Sequence, residues 1–513
     1  MKGFFGIPKL ETITSFFAIK LRNKAVNFGR KAGVILSADK SAGIPAILIS
    51  KQLALISVSI LLLVLWAALS IFCKLNSWLY IGIIITAVTF VMLSVVLTKL
   101  VRPTLTKHIR YFLFFWIIFK IILSVIYFDG FFVERDDRSL EIYQYGDSFT
   151  HHNAAVKYFE LWNDGKLFEI SNSISSQVEQ WGYEYFLGSI YFITGPLPET
   201  GVIINSFLFL LLCLLSYKIF ILTGISQKNS EIGLVFLSLS PLLWLLSSLL
   251  YKELLLFVII LISFICILKL TKGYGIKWLL CMLIFQIPLL TLRYSYVFAI
   301  DILLLIALFY SRQINLRRRI IVIVICGLFL LAFINFTSHF RMYCYKITDF
   351  FKFVSSSMKI PSLGGAFMTK GLGRAITIDN FYYVIPAKAI YILMIPFPWF
   401  GGNSLVERID YICSHIDAFL YLSLLTAVVF TFMQRKRIPL TKEQNLAVLA
   451  GIGFLIIPLF MYWPSRRYIS ICVPFLMAYA LPIWSQKKIF LKTASVSIVV
   501  ILVVQLAYWF TKW

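Results

Sequence analysis

YKELLLFVIILISFICILKLTKGYGIKWLLCMLIFQIPLLTLRYS, residues 251–295, holds two apolar runs, 254–270 and 276–292, with charge kept at or near their ends. Each run is close to the roughly 20 residues that carry an α-helix across a bilayer core. Lys269, Lys272 and Lys277 gather at the turn between the runs, while Lys252, Glu253 and Arg293 stand at the far ends. A basic turn belongs on the cytoplasmic side. Lys252, Glu253 and Arg293 then face outward, against the usual preference.

The rest of the chain extends this pattern. It is 60% hydrophobic and 14% charged, where soluble domains carry about a quarter charged residues. Apolar runs fall at 52–73, 78–99, 111–128, 201–223, 231–250, 254–270, 276–292, 294–310, 319–336, 413–434, 445–463, 468–485 and 493–510. The expected fold class is all-α, a polytopic membrane helical bundle of about 13 transmembrane helices. A closed β-barrel is excluded because the runs are continuous rather than alternating.

With the N-terminus cytoplasmic, nearly every basic cluster lands inside, from Lys99–Arg110 to Lys487–Lys492. The solution requires that 182–195, too short to span, lie at the interface or re-enter, and that 384–399, broken by Pro386 and Pro396, stay outside. Two large outer loops with juxtamembrane helices follow, 129–200 and 337–412. The organisation is a basic cytoplasmic segment, 1–51, two N-terminal spans in 52–110, a core over 111–485 and a last span in 486–513. Residues 12–31 fit either a basic amphipathic helix on the inner leaflet or a solvated leader, and no cleaved signal peptide is expected. The net charge of +25 sets orientation, and no nucleic-acid partner is expected. Membrane lipids are the expected surroundings. Most cysteines lie inside apolar runs as small buried residues. Only Cys344 and Cys413 fall in loops, and their spacing does not decide whether they pair.

The first outer loop is acidic. Residues 129–181 hold ten of the chain's 23 acids, Asp136, Asp137 and Asp147 among them. Gly146-Asp147-Ser148 opens an expected helix, 148–163, with Asp147 or Ser148 as N-cap. Phe149, Val156 and Phe159 share a face that suits the membrane surface. His151 and His152 follow within one turn and point in different directions, which disfavours a shared metal. One is expected to contact a sugar or phosphate. On the same side stand Lys252, Glu253, Arg293, Arg466 and Arg467, with Arg341, Arg374, Arg408 and Asp410. Guanidinium groups bind phosphate oxygens bidentately, and a nearby carboxylate suits a general base or a divalent-metal ligand. Asp301, inside a span, marks a proton or ion path in another class of protein, with Lys218 or another polar side chain as its partner.

The acidic loop with GDSFTHHNAA, the segment YEYFLGSIYFITGPLPETGVIIN, then SPLLWLLSSLLYKE, TLRYS and PSRRYISICVPFL resemble bacterial membrane glycosyltransferases of the GT-C fold, similar to dolichyl-phosphate-mannose mannosyltransferases. The resemblance covers roughly 111–485. It implies an enzyme of the bacterial inner membrane with its site on the outer face. The expected reaction moves a sugar from a polyprenyl-phosphate donor to a glycan, lipid or protein acceptor. The essential loop acid matches Asp147, or else Asp136 or Asp137. His151, Lys252, Glu253, Arg293, Arg466 and Arg467 become substrate-binding residues. A divalent cation, Mg or Mn, is the one cofactor the resemblance raises, with its ligands undetermined. Two other readings stand beside it. One is a surface-polysaccharide or O-antigen polymerase acting on pyrophosphate-linked repeats. The other is a lipid-linked oligosaccharide flippase, which internal repeats and polar residues along the spans would favour.

Overall fold

A computed structural model describes residues 105–136, 139–142, 147–165, 181–275, 277–293, 295–311, 315–336, 405–436, 440–459 and 466–512. The runs 52–73 and 78–99, the segment 12–31, the second outer-loop residues 337–404 with Arg341, Arg374 and Cys344, and the stretch 384–399 lie outside them, as does Asp137. Helix α1 is Lys107–Phe132, and a hairpin follows, β1 Val133–Asp136 and β2 Ser139–Ile142. Next come α2 Asp147–Asn163, α3 Gly182–Thr194, α4 Pro198–Leu222, α5 Gln227–Ser238, α6 Pro241–Ser247, α7 Glu253–Thr271, α8 Lys277–Arg293 and α9 Ser295–Tyr310. The remainder is α10 Leu316–Phe336, α11 Leu405–Met433, α12 Lys442–Leu459, a 3-10 turn Arg466–Ile471, α13 Val473–Trp484 and α14 Lys487–Lys512.

The expected runs from 111 onward coincide with helices, because a backbone in hydrocarbon must satisfy its own polar groups. Four helices are long and apolar enough to cross a membrane alone: Lys107–Val125, Pro198–Leu222, Glu253–Thr271 and His415–Met433. Gln227–Ser238 and Pro241–Ser247 together reach that length and apolarity with a 56° bend between them, as a broken span or a re-entrant loop does. Helices of this length and composition are those of a membrane protein. The α4 and α7 windows are 78% buried, whereas those of α1 and α11 are 24% and 39% buried. So α4 and α7 form the centre and α1 and α11 the periphery. There Phe115, Phe119, Val429 and Phe432 stay exposed on faces that suit lipid. Serines inside the bundle turn back onto their own helices, as Ser216 does to the Leu212 carbonyl and Ser263 to that of Ile259.

The all-α expectation needs one amendment. The acidic loop opens as an antiparallel hairpin, with Val133 opposite Ile142 and Asp136 opposite Ser139. The segment 182–195 forms α3, whose 13 residues reach roughly 20 Å, short of the ~30 Å bilayer core. It packs along α2, and Gly188 allows the approach: a Cβ there would meet Tyr158 Cβ at 2.8 Å.

Contacts sort the helix ends into two layers. In one layer, Lys272 Nζ donates to the Leu222 carbonyl at 2.6 Å, Thr441 Oγ1 to the Thr223 carbonyl at 2.8 Å, and Ser311 Oγ to the Thr271 carbonyl at 2.9 Å. Lys269 lies 3.8 Å from the Trp278 ring centroid, and Lys442 5.8 Å from that of Tyr310. This layer closes the C-termini of α4, α7 and α9 with cations and hydroxyls, which also suits the helix dipoles. The starts of α7, α9 and α13 and the end of α8 make up the other layer.

Candidate functional site

The site grows from the first turn of α2. Ser148 does not cap it: its buried hydroxyl makes no hydrogen bond among the described residues. Asp147 is the first helical residue, and its side chain lies outside the described set. Phe149, Val156 and Phe159, the face expected to suit the membrane surface, are half-buried, while the buried stripe of α2 is Ser148, His151, His152, Ala155, Tyr158 and Trp162. That face fits an aromatic groove on α3, where the histidines find partners that Phe side chains would not.

The two histidines fare differently. His152 Nδ1 meets Tyr191 Oη at 2.8 Å, and the rings stand edge to face. Burial lowers its pKa from 6.5 to about 4, so it is neutral at pH 7. An unfolded chain protonates this imidazole near its ordinary value and the folded one only near 4. Stability is therefore lost as pH falls from about 6.5 towards 4, by roughly 3 kcal/mol in all, and is unaffected by this group above 7. Thermal unfolding across that window should show the loss in the wild type and a shallower slope in His152→Gln. His151 Nδ1 instead meets the Glu184 carboxylate at 2.8 Å. Glu184 is 1% exposed, and its Oε2 has no hydrogen-bond partner among the described residues.

Tyr183 joins this pair to the span ends. Its ring lies edge-on to His151, 5.1 Å between centroids. Its hydroxyl lies 3.1 Å from Asn205 Nδ2, which also donates to the Leu249 carbonyl at 2.6 Å and the Tyr251 carbonyl at 3.3 Å. Burial, with Glu253 and Glu184 nearby, pushes the Tyr183 phenol well above its usual range. Asn205 thus holds the turn that carries Lys252 and Glu253. Glu253 is 1% exposed and Lys252 7%. Arg467 Nε lies 3.4 Å from Glu253 Oε1, near enough for Coulomb attraction but not aligned as a hydrogen bond, so neither Glu253 oxygen has a directed donor.

Arg467 also lies 4.9 Å from the Tyr251 ring centroid, and Arg293 4.2 Å from that of Tyr468. Burial and Glu253 raise the Tyr468 phenol, against Arg293 and Arg467. Arg293 Nη1, cut off from solvent, has no hydrogen-bond partner among the described residues. Three cations, Lys252, Arg293 and Arg467, therefore stand with Glu253 at this end of the bundle, and Tyr183 links them to His151 and Glu184. No family model matches the chain, and no curated protein or solved structure matches it either.

His151, Lys252, Glu253, Arg293 and Arg467 come together at one end of the bundle. Arg466 begins the same 3-10 turn, while its side chain, like those of Asp136, Arg408 and Asp410, is outside the described set. Among the described residues no three His, Cys, Asp or Glu side chains are placed to hold a metal. Cys413 is buried in α11. Sequence reading missed Glu184, Tyr183, Asn205 and Tyr468. Of the two partners left open for Asp301, Lys218 or another polar side chain, the structure has the second: Gln286 Nε2 donates to its Oδ1 at 2.6 Å, since α8 and α9 are packed neighbours.

Proposed function

We propose that this chain is an integral-membrane glycosyltransferase with about 13 spans, N-terminus cytoplasmic, in a bacterial inner membrane. It moves a sugar from a polyprenyl-phosphate donor to a cell-surface glycan, lipid or protein acceptor on the outer face. The observation that carries the reading is Arg293 and Arg467 flanking Tyr468 over buried Glu253, with an Arg293 nitrogen left unbonded. Guanidinium groups set against aromatic faces, one of them with an Nη1 unbonded among the described residues, suit a phosphate whose charge grows as the sugar–phosphate bond breaks. The lipid tail reaches the phosphate laterally from the bilayer. Asp147, at the start of α2, orients and polarises the acceptor hydroxyl. Asp136, Asp137 and Asp147 are the acids a divalent cation would need. The described residues supply no ligand set of their own, and no step here runs through a metal.

The test is transfer from radiolabelled polyprenyl-phosphate sugars by the full-length protein in lipid vesicles, with and without chelator. Covalent transfer that Asp147→Asn abolishes, while the variant still expresses and inserts, is the expected result. Growth of chains from pyrophosphate-linked repeats would replace the reading with a polymerase. Flux of lipid-linked sugar without covalent product would replace it with a flippase. Cysteine accessibility at positions 147, 252 and 466 should report one common side.

A further inference from the structure

Resting on that transferase reading, we propose that His151, backed by Glu184, receives the proton of the acceptor hydroxyl. The two adjacent histidines of α2 have opposite surroundings. Among the described residues, a proton arriving on His152 meets the Tyr191 phenol. One arriving on His151 meets a carboxylate at 2.8 Å that is itself 1% exposed. With Nδ1–H donated to Glu184, the Nε2 lone pair is the free end of the ring, and Nε2 makes no hydrogen bond among the described residues. Glu184 keeps Oε2 unbonded in a buried setting, so its charge is directed at the imidazole rather than spread over other donors.

Position also fits. Asp147 and His151 are four apart on α2 and share a face. Tyr183 lies between His151 and the cationic cluster, through Asn205 and the Tyr251 carbonyl. Acceptor and donor phosphate would thus meet across the Tyr183 ring.

The step balances without a further reactant. The acceptor oxygen bonds to the anomeric carbon, and its proton passes to His151 Nε2. The bond from the anomeric carbon to the phosphate oxygen breaks, and the polyprenyl phosphate leaves with the electron pair beside Arg293 and Arg467. The imidazolium is held by Glu184 until solvent takes the proton. Among the described side chains the titratable groups around His151 are Glu184 and Tyr183 on α3 and His152 on α2. Tyr158 lies near Glu184, and Glu253 lies beyond Tyr183.

The experiment measures kcat and KM across acid to neutral pH, with the full-length protein and the donor that supports wild-type transfer. Glu184→Gln keeps an acceptor for Nδ1–H but no charge. It should lower kcat by about 10²–10⁴-fold with KM little changed, and Glu184→Asp should recover part of the loss. His151→Asn should lose as much and should abolish the acid limb of the pH–rate profile. Wild-type rates in Glu184→Gln and His151→Asn overturn the assignment, as does a change in KM alone. Equal losses in Glu184→Asp and Glu184→Gln, tracking a lowered melting temperature, make the pair a structural staple and also overturn it. A wild-type protein that transfers nothing fails the transferase reading itself, a distinguishable result.

Discussion

Arg467→Gln is expected to abolish transfer and weaken the fold together, and adding Glu253→Gln to restore the fold without the transfer. Glu253 is 1% exposed, with Arg467 Nε at 3.4 Å from its carboxylate. Removing one partner of a buried ion pair strands the other and costs about 3–5 kcal/mol, whereas neutralising both is far less destabilising. A cycle of wild type, two single variants and the double variant, followed by thermal unfolding in detergent, should show that recovery. Activity should behave otherwise. Each guanidinium lost from a developing phosphate charge costs on the order of 10²–10³ in rate, and the double variant keeps that loss. Arg293→Gln separates the two effects from the other side. Among the described residues Arg293 makes no ion pair with a carboxylate, and it rests on the Tyr468 ring, so its loss should slow transfer and leave stability nearly intact. Should Arg467→Gln melt like wild type, Glu253 would draw its compensation from Lys252 or Arg293, and the picture of the cluster would change.

The frame of this molecule was legible because hydrocarbon enforces it. Continuous apolar runs and the sidedness of lysines and arginines require no knowledge of packing, and from sequence alone they place Lys252, Glu253, Arg293 and Arg467 at one level. What remained hidden depends on contacts distant in sequence. Nothing in the chain says that His151 pairs with an acid 33 residues on. One signal was present: Glu184 is the lone charge in GYEYFLGSIYFIT, and an acid isolated in an apolar outer helix invites the scrutiny that Asp301 received. Asn205 gave no such signal, since an amide in an apolar run takes its meaning only from the carbonyls of Leu249 and Tyr251. Lys120 is similar. Buried at 0% exposure within α1, it reaches Ser206 on α4 at 3.3 Å and also Ser247 on α6, bonding the residue next to Asn205 from below. Apolar spacing on α2 marked only the half-buried face of Phe149, Val156 and Phe159, while the face that packs on α3 carries the histidines and is set by hydrogen bonds that spacing does not show.

Asp417 was passed over in the run 413–434, yet it should carry the largest stability effect away from the site. The bend between α5 and α6 opens a span in the apolar interior, and α6 begins there with unsatisfied backbone donors. Pro241 removes one, and Ser240 Oγ accepts from the Leu243 N–H at 3.3 Å. Asp417, 1% exposed on α11, accepts from the Ser240 hydroxyl at 2.9 Å and from the Leu242 N–H. One turn later Tyr421 Oη lies 3.1 Å from Ser470 Oγ, in the 3-10 turn that carries Arg467. Asp417→Ala leaves an amide and a hydroxyl without their acceptor in the bundle interior, at a cost of about 3–5 kcal/mol. Asp417→Asn keeps one acceptor oxygen but turns an amide donor towards the other, for roughly 1–2 kcal/mol. Because α6 leads through Leu249 and Tyr251 to Lys252 and Glu253, loosening its start should also expose the Glu253 turn to protease and reduce transfer in step with the stability lost. A graded series, wild type above Asn above Ala in both melting temperature and protease resistance, is the expected order. An alanine variant as stable as wild type would mean that the break is satisfied from elsewhere and that Asp417 does not hold α6 in place.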